Sequence, residues 1–268
     1  MKKVNLIIFT DLDGTLLDHD TYSFDAATEA LDRVKEAGIP LILCSSKTRA
    51  EITVWRERLN NKDPFISENG GAIFFPNTFN ALGKKYTERD NYQVIELGTY
   101  HPELLVHFKT LKNSFGARIR GFSEMGVDEV MRLAGLSRRE ALLAKQREYS
   151  EPFVFTGNEK DKKELERSVK DLNLNLTRGG RFFHLLGDND KGKAVNIVAE
   201  IFKANCSGLK TVALGDSQND LPMLQVVDVP ILVQKSGGLY EEQIDLPNLR
   251  RAPGVGPLGW NKAVLRIL

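Results

Sequence analysis

Four short apolar segments, each followed directly by polar residues, constrain the fold of this chain most. They are rich in leucine and β-branched residues, as buried parallel strands are, and occupy residues 4–9, 40–44, 211–214 and 229–233. Amphipathic stretches typical of helices separate them, at residues 24–37, 49–59 and 193–202. This alternation predicts an α/β fold with a doubly wound, mostly parallel sheet. Ligands of such sheets bind beyond the carboxyl ends of the strands.

The middle of the chain lacks this regular alternation. Its segments are a mixture of predicted strands and helices, at residues 93–97, 102–115, 117–121, 127–134, 137–148, 153–156, 160–172 and 181–186. Ser137 and Glu140 fit the capping box that begins a helix. The mixture predicts an inserted α+β cap domain at residues 84–186, which acts as a lid on a core domain formed by residues 1–83 and 187–268.

Composition and charge exclude several classes of partner. The 268 residues carry a formal net charge of +1 without a long block of one sign, so we expect no nucleic-acid or membrane-surface partner. Cys44 and Cys206 lie far apart and form no CxxC pair, which argues against a disulfide framework or a zinc site. The apolar run near the start is too short for a signal peptide, and no stretch is long enough to span a membrane. We therefore predict a cytoplasmic protein, and the sequence carries no signal of its oligomeric state.

The first polar cluster, DLDGT at residues 11–15, brings two carboxylates to one strand end. Side chains two residues apart in a strand point the same way, so Asp11 and Asp13 can face one pocket. Gly14 permits a tight turn after them. Paired carboxylates repel each other unless a hard cation lies between them. One carboxylate can then attack phosphorus while the other handles a proton.

Two plainer interpretations of DLDGT compete with this one. The acidic residues could belong to an ordinary surface turn. An EF-hand calcium loop does not fit, because Thr15 stands at its fifth position and Tyr22, in place of glutamate, at its twelfth. The segment DNDKGK at residues 188–193 fails as such a loop as well, since its glycine is the fifth residue and not the sixth.

A second acidic cluster, GDSQND at residues 215–220, also follows an apolar strand. Asp216 can add a carboxylate to a magnesium site, and Asp220 can support it from nearby. Magnesium takes few protein carboxylates, so Asp11, Asp216 and a backbone carbonyl would suffice. The alternative for Asp216 alone is a capping cluster that opens a helix at residues 221–226.

A serine and a lysine complete the set. Ser45 follows the second apolar segment, so its hydroxyl and nearby N–H groups could bind phosphate at the start of a helix. Lys191 precedes the helix that follows it and could neutralise phosphate charge. Taken alone, either residue is as typical of a helix cap or a solvated charge.

At these four positions the sequence resembles the haloacid dehalogenase superfamily, in order as well as in spacing. The insert resembles the α+β cap of its sugar-phosphate phosphatase branch, and SENGG at residues 67–71 is similar to a hairpin of the core in that branch. The resemblance implies a Rossmann-like core and a phosphatase that uses Mg²⁺.

The resemblance also implies a role for each matching residue. Asp11 matches the nucleophile and a magnesium ligand, and Asp13 matches the general acid/base, whose backbone carbonyl also binds the metal. Asp216 matches the remaining magnesium ligand, with Asp220 in support. The residues that match the phosphate binders and their neighbours are Ser45, Ser46, Lys191 and Asn219.

Further segments narrow the resemblance. Where most members of the branch have Thr-Gly-Arg, this chain has SSKTRAE at residues 45–51. Together with this segment, four others resemble the mannosyl-3-phosphoglycerate phosphatase family: RGFSEM at 120–125, AGLSRREALLAKQREYSEPF at 134–153, GGRFFHLLG at 179–187 and GPLGWN at 256–261. This implies a small phosphorylated sugar acid as substrate, with hydrolysis of mannosyl-3-phosphoglycerate to mannosylglycerate and phosphate. Glucosyl-3-phosphoglycerate, hexose phosphates and a phosphomutase reaction are the alternatives.

A substrate of this kind predicts further cationic groups in the pocket, since carboxylates prefer bidentate arginine. The candidates in the matching segments are Lys47, Arg147, Arg178, Arg181 and His184. For each cation taken alone, a solvated surface charge is the plainer interpretation, and His184 fits a packed strand position equally well.

Two other classes of protein are disfavoured. Cation-pump ATPases have a threonine where this chain has Asp13, and they have membrane helices. A catalytically inactive binding module is disfavoured because Asp11, Asp13, Lys191 and Asp216 are all present.

Overall fold

The computed structural model describes residues 5–79 and 83–268, so Val4, the predicted start of the first strand, lies outside the described residues, as do the other residues of 1–4 and 80–82. The strands described are β1 (Leu6–Thr10), β2 (Leu41–Cys44), β3 (Phe65–Ser67), β4 (Ala72–Pro76), β5 (Thr87–Arg89), β6 (Tyr92–Glu96), β7 (Ile119–Gly121), β8 (Ser150–Phe155), β9 (Asn175–Gly179), β10 (Phe182–Leu186), β11 (Lys210–Gly215), β12 (Val229–Gln234) and β13 (Arg250–Val255). The α-helices described are α1 (Thr28–Glu36), α2 (Arg49–Arg58), α3 (His101–Phe115), α4 (Val127–Ala134), α5 (Arg138–Ala144), α6 (Glu159–Asp171), α7 (Lys191–Asn205), α8 (Leu221–Gln225) and α9 (Gly256–Leu265). Within these residues, no helix has both the length and the apolar character needed to cross a bilayer.

The strand that carries DLDGT lies inside a large sheet with the order β13-β12-β11-β1-β2-β3-β4-β6-β5. The strands from β13 to β3 pair in parallel, and β4, β6 and β5 add antiparallel pairs at one side. Thr10, at the end of β1, lies beside Leu43 of β2 and Leu214 of β11. The carboxyl ends of these three strands therefore meet at one edge, which confirms the predicted α/β fold with a doubly wound, mostly parallel sheet.

Helices cover both faces of the large sheet, because successive side chains of a strand point to opposite faces. Ile8 packs in a cluster with residues of α1, α2 and α9, including Trp55 and Trp260. Ile7 and Phe9 pack on the other face, with residues of α7 and α8. With both faces covered, the edge formed by the carboxyl ends of the strands is the place left for a site.

The insert forms a second, antiparallel sheet with the order β7-β8-β10-β9. Residues of α3 and α6 pack against it around Phe108 and Phe153, and α4 and α5 contribute to a separate cluster around Phe122. The chain enters and leaves the insert side by side, since a Cβ on Gly187 would lie 2.7 Å from the backbone nitrogen of Thr99. The inserted α+β arrangement predicted from the sequence is therefore present.

Two elements differ from the prediction. The strand expected at residues 93–97 as part of the insert is β6, which pairs with β4 in the large sheet. It belongs there because Val94 and Ile95 enter the cores on opposite faces of that sheet. The helix expected at residues 137–148 begins with the predicted capping box but ends at Ala144. Beyond this end, residues 148–150 donate hydrogen bonds to the carboxylate of Glu68, in the turn between β3 and β4, and these replace a continued helix.

Candidate active site

A sharp turn after β1 brings two carboxylates to the edge of the large sheet. Asp11 follows the strand directly, its backbone N–H donates to the carbonyl of Leu214, and the residue is buried. Gly14 has φ +77°, in the left-handed region that favours glycine. A Cβ at this position would lie 3.0 Å from a carboxylate oxygen of Asp216. The glycine therefore also makes room for the acidic residue that follows β11.

Three carboxylates converge at this edge. Asp11, Asp216 and Asp220 offer carboxylate oxygens that all lie within 4.8 Å of one another. Asp216 accepts hydrogen bonds from the hydroxyl groups of Thr15 at 3.2 Å and Ser217 at 2.9 Å. Asp220 accepts from the backbone N–H groups of Asp216 and Ser217, both at 3.0 Å. The two acidic clusters predicted at neighbouring strand ends thus lie together.

Lys191, the first residue of α7, balances part of this negative charge and is fully buried. Its Nζ lies 2.6 Å from Oδ1 of Asp11 and 2.6 Å from Oδ1 of Asp220. Burial disfavours the ammonium charge, but the two carboxylates outweigh burial and raise the pKa of Lys191. The side chain is therefore a buried counter-ion of the acidic cluster, and its contact with phosphate stays a prediction.

The acidic cluster fits a divalent cation. Burial raises the pKa of Asp11, against the opposing charge of Lys191, and burial together with Asp220 raises the pKa of Asp216 to about 7. Three carboxylates meet one ammonium group there, so the charge of Lys191 cannot offset all of them when they are ionised. Carboxylate oxygens are the ligands that Mg²⁺ prefers, and a divalent ion would balance the remaining charge. The residues present therefore suit the predicted Mg²⁺.

We expect Mg²⁺ to raise the melting temperature more at about pH 8 than at about pH 5.5. The pKa of Asp216 rises from 3.8 to about 7 on folding. Its contribution to the stability of the metal-free protein is therefore present at low pH and lost as the pH rises through about 7. Mg²⁺ would bind the ionised carboxylates, so it should restore most stability at the pH where the metal-free protein has lost most.

Thermal unfolding with EDTA and with Mg²⁺ at the two pH values measures this difference. Asp216→Asn is the control variant, and its Mg²⁺-induced shift should be small at both pH values. Equal shifts in the unaltered protein at both pH values would contradict the expectation.

The carboxylate of Asp13 is held by a lysine. Its Oδ2 lies 2.9 Å from Nζ of Lys47, which also lies 3.7 Å from Glu51 and 5.0 Å from the ring centre of Tyr22. Burial opposes the charge of Lys47, but Asp13 and Glu51 outweigh burial and raise its pKa. Oδ1 of Asp13 is buried and has no hydrogen-bond partner among the described residues. Lys47 thus fixes one oxygen of Asp13, and the hydrogen-bonding capacity of the other is unused.

The two serines expected to bind phosphate have different surroundings. The hydroxyl of Ser45 is fully buried and accepts from the backbone N–H of Lys47 at 3.2 Å. Ser46 lines the cavity described next, and its carbonyl accepts from Nη1 of Arg147 at 2.8 Å. Both precede α2, which begins with a capping box. This position suits anion binding, which for both serines stays a prediction.

A cavity of about 530 Å³ lies between the carboxyl edge of the large sheet and the insert. The predicted site residues that line it from the large-sheet side are Asp11, Asp13, Ser46, Lys47, Asp216 and Asn219. Those that line it from the insert are Arg147, Arg178, Arg181 and His184. Every substrate candidate named from the sequence therefore lines one cavity, whereas Ser45, Lys191 and Asp220 lie behind its wall.

Two arginines of the insert have no anionic partner among the described residues. Arg178 lies in β9, over the ring of Phe183 at 5.4 Å, and Arg181 lies in the turn that leads to β10. Both residues are exposed, as the surface-charge interpretation requires. Neither guanidinium forms a hydrogen bond or an ion pair with another residue in the described ranges. Because they also line the cavity, both are open to an anionic ligand.

His184 faces the same cavity as a neutral ring. Burial and the charges of Arg147 and Lys191 lower the pKa of His184 to about 3. Its Nδ1 is buried and has no hydrogen-bond partner among residues 5–79 and 83–268. The ring therefore adds no charge to the cavity wall, and its Nδ1 has an unused hydrogen-bonding capacity. It is at the same time the packed strand histidine of the alternative interpretation, in β10.

The turn between β3 and β4 contributes residues that the sequence analysis did not assign to the site. Nδ2 of Asn219 donates to Oδ1 of Asn69 at 3.0 Å, and Nδ2 of Asn189 donates to the carbonyl of Asn69 at 3.2 Å. Glu68 and Asn69 have φ +48° and +56°, a left-handed pair ahead of two glycines. The signal was the SENGG segment itself, whose polar residues stand immediately before a glycine pair.

Known proteins similar to this chain are phosphatases. A model of the haloacid dehalogenase-like hydrolases matches residues 8–237. A Methanococcoides burtonii protein named glucosyl-3-phosphoglycerate/mannosyl-3-phosphoglycerate phosphatase is 48% identical over 263 residues, which are 98% of this chain and 97% of that protein. A Pyrococcus furiosus protein named mannosyl-3-phosphoglycerate phosphatase is 36% identical over 227 residues, 85% of this chain and 90% of that protein.

The fold is similar to that of solved structures as well. The crystal structure of Thermoplasma acidophilum 0175 matches 98% of both chains with a TM-score of 0.69, at 18% sequence identity. The family predicted from the four sequence positions is thus confirmed. The chain belongs to the haloacid dehalogenase-like hydrolases and is a phosphatase of that family.

Proposed function

We propose that the protein releases phosphate from mannosyl-3-phosphoglycerate and glucosyl-3-phosphoglycerate, through a phosphorylated Asp11 and with Mg²⁺. The observation that carries this proposal is one cavity in which a cluster of carboxylates faces two arginines that have no ion-pair partner in the described part of the chain. The carboxylates suit phosphoryl transfer, and the arginines suit the carboxylate of a glycerate group. The names of the two relatives, one of which includes both sugars, support this substrate class.

In the first step, an oxygen of Asp11 attacks the phosphorus atom while the bond from phosphorus to the glycerate oxygen breaks. Oδ1 of Asp11 is held by Lys191, which leaves Oδ2 for the attack. Asp13 acts as the general acid and gives a proton to the departing glycerate oxygen, while Lys47, 2.9 Å from Oδ2, holds its side chain in place. The products of this step are the glycosylglycerate and phosphorylated Asp11.

In the second step, the carboxylate of Asp13 takes a proton from water as the water oxygen attacks the phosphorus of phosphorylated Asp11. The carboxylate of Asp11 leaves, and inorganic phosphate is released. Lys191 stays beside Asp11 and Asp220 throughout and keeps the charge of the nucleophile balanced. Held by Asp11, Asp216 and the backbone carbonyl of Asp13, with Asp220 in support, Mg²⁺ would supply positive charge for the phosphoryl oxygens.

The insert acts in this proposal as a cap that recognises the rest of the substrate. We place its limits after β6 and at Gly187, a shorter range than residues 84–186, since β5 and β6 pair with the large sheet. Arg147, Arg178 and Arg181 would meet the carboxylate and the sugar, and the large sheet would meet the phosphate. The two tasks are thus divided between two units that share one cavity.

A phosphate-release panel tests the substrate class. We expect kcat/KM for both glycosyl-3-phosphoglycerates to exceed that for hexose phosphates and 3-phosphoglycerate at least ~100-fold, because only the whole substrate fills both sides of the cavity. EDTA should stop phosphate release, and added Mg²⁺ should restore it. Comparable values on all substrates would remove the specific assignment. Phosphate transfer to a second hydroxyl without free phosphate would indicate a mutase.

Substitutions in the insert test whether its arginines cause this substrate preference. Arg178→Met combined with Arg181→Met should reduce the ~100-fold preference to ~10-fold or less, because the glycerate carboxylate loses its cationic partners. Arg120→Met is the matched control, since Arg120 lies in the same small sheet and pairs with Glu129 but does not line the cavity. If the double variant keeps the same substrate preference, the two arginines do not bind the glycerate carboxylate.

A further inference from the structure

We propose that Glu68 is a positioning residue for Arg147: it fixes this arginine in the cavity by holding the three residues that follow it. The kinetic part of the test rests on the proposed function, whereas the structural part does not. Glu68 and Arg147 belong to different units, the large sheet and the insert, so the inference concerns how the two units build one binding surface.

Glu68 binds three consecutive residues of the insert. Its Oε1 accepts from the backbone N–H of Glu148 at 2.8 Å, and its Oε2 accepts from the N–H of Tyr149 at 3.1 Å and the hydroxyl of Ser150 at 2.6 Å. The residue is fully buried, at the left-handed turn between β3 and β4. We call these three hydrogen bonds the Glu68 clasp.

Arg147 comes directly before the clasped residues and is itself almost fully buried, with 6% of its side chain exposed. Its Nη1 donates to the carbonyl of Ser46 at 2.8 Å and its Nε to the carbonyl of Ala144 at 2.7 Å. Nη2 lies 3.7 Å from Glu51, and the guanidinium lies 5.7 Å from the ring centre of Phe122. The planar group is therefore held in one orientation in the wall of the cavity.

Burial of the charged Glu68 carboxylate costs desolvation free energy. This cost indicates that the residue does more than form the turn between β3 and β4. Burial raises the pKa of Glu68, and the charge of Arg147 and the three hydrogen bonds oppose this shift. Glu68 has no ion-pair partner within 4.0 Å among the described residues. A neutral side chain would avoid the desolvation cost, but it would not accept from three donors at once.

The clasp also decides where α5 ends. The helical pattern of the sequence continues to Glu148, but the helix stops at Ala144 and frees the N–H groups of Glu148 and Tyr149 for Glu68. If the helix continued, these N–H groups would donate to carbonyl groups of the helix itself. Arg147 would then be a residue of the helix. Because α5 ends early, the side chain of Arg147 points to Ser46 and the cavity.

Loss of the clasp should loosen this segment without unfolding the protein. Two contacts outside the clasp hold the segment in the fold: the carboxylate of Glu148 lies 2.6 Å from Arg89, and the hydroxyl of Tyr149 lies 3.1 Å from the same arginine. Glu68→Gln keeps the shape of the side chain but replaces one acceptor oxygen with an N–H₂ group that faces donors. The backbone at residues 148–149 would then move, and Arg147 with it.

The test compares Glu68→Gln, Arg147→Met and the double variant on two substrates, a glycosyl-3-phosphoglycerate and p-nitrophenyl phosphate. We expect Glu68→Gln to raise the KM for the glycosyl substrate ~10-fold, and the KM for p-nitrophenyl phosphate less than ~2-fold. The double variant should match Arg147→Met alone, because residues that act through one group are not additive. Asp228→Asn is the matched control, since Asp228 likewise accepts from an N–H and a hydroxyl, both of Thr211, away from the cavity.

Each outcome of the test either supports or overturns the positioning role of Glu68. Equal KM increases on both substrates, or multiplied effects in the double variant, would overturn the positioning role. Amide hydrogen exchange gives a readout without substrate: faster exchange at Glu148 and Tyr149 in Glu68→Gln supports the clasp, and unchanged exchange overturns it. Failure of the proposed function would instead appear in the unaltered protein, which would release no phosphate from either glycosyl-3-phosphoglycerate.

Discussion

Asp11→Asn is expected to lower phosphate release at least ~10³-fold while the protein stays folded. The amide cannot form the bond to phosphorus, so both steps of the reaction are lost. Burial raises the pKa of Asp11 in the folded protein, so a neutral side chain of the same shape is well suited to the position. The Oδ1 of the new asparagine can still accept from Lys191. We therefore expect a melting temperature without Mg²⁺ that is equal to or above that of the unaltered protein.

Phosphate release and thermal unfolding, measured on the same preparations, check both parts of this expectation. Asp18→Asn is the control, because Asp18 lies in the same loop, accepts from Thr21 and does not line the cavity. Its phosphate release should stay near that of the unaltered protein. Full phosphate release by Asp11→Asn would exclude an aspartyl-phosphate at this position.

Lys191→Met should have the largest effect on stability. Lys191 is fully buried between Asp11 and Asp220, and its removal leaves their negative charge without a partner. Breaking a buried ion pair by removing one partner costs about 3–5 kcal/mol, and we expect a loss of that order in the free energy of unfolding without metal. Mg²⁺ should restore part of the loss, because a divalent ion offsets the same carboxylates.

Urea unfolding at neutral pH, with EDTA and with Mg²⁺, measures the effect. Lys193→Met is the matched control: Lys193 lies two residues along the same helix, and its exposed ammonium pairs with exposed Asp188. Exposed pairs contribute little to stability, so this variant should unfold near the unaltered protein. Similar unfolding curves for the two variants would contradict the role of Lys191 as a buried counter-ion.

The meeting of the carboxylates at one edge of the sheet could be predicted because its signals are local. Asp11, Asp13 and Asp216 each follow a strand that can be recognised from its own apolar residues, and parallel strands bring their carboxyl ends together. The α/β class and the inserted unit follow from the same periodicities. The capping box of Ser137 and Glu140 occurs as predicted, since a cap is decided within four residues.

Features that depend on distant pairing were not predictable in the same way. The two hydrogen bonds of Lys191, to carboxylates 180 and 29 residues away, had no local signal, and its predicted contact with phosphate stays a prediction. The end of α5 depends on Glu68, 80 residues before Glu148. β13 was missed because Pro253 and Gly254 interrupt its pattern, which an edge strand tolerates.

The chain enters the insert at Thr99 and leaves it beside that point at Gly187. We call the insert a cassette, because it could be exchanged as one unit. Whole replacement of the cassette would leave the strand order of the host sheet unchanged, because both ends enter at one point. Recombination could thus give an ancestral hydrolase a new specificity in a single event, without rebuilding its reaction chemistry. A protein engineer has the same option, provided that the transplanted cassette offers donors to the host glutamate at position 68.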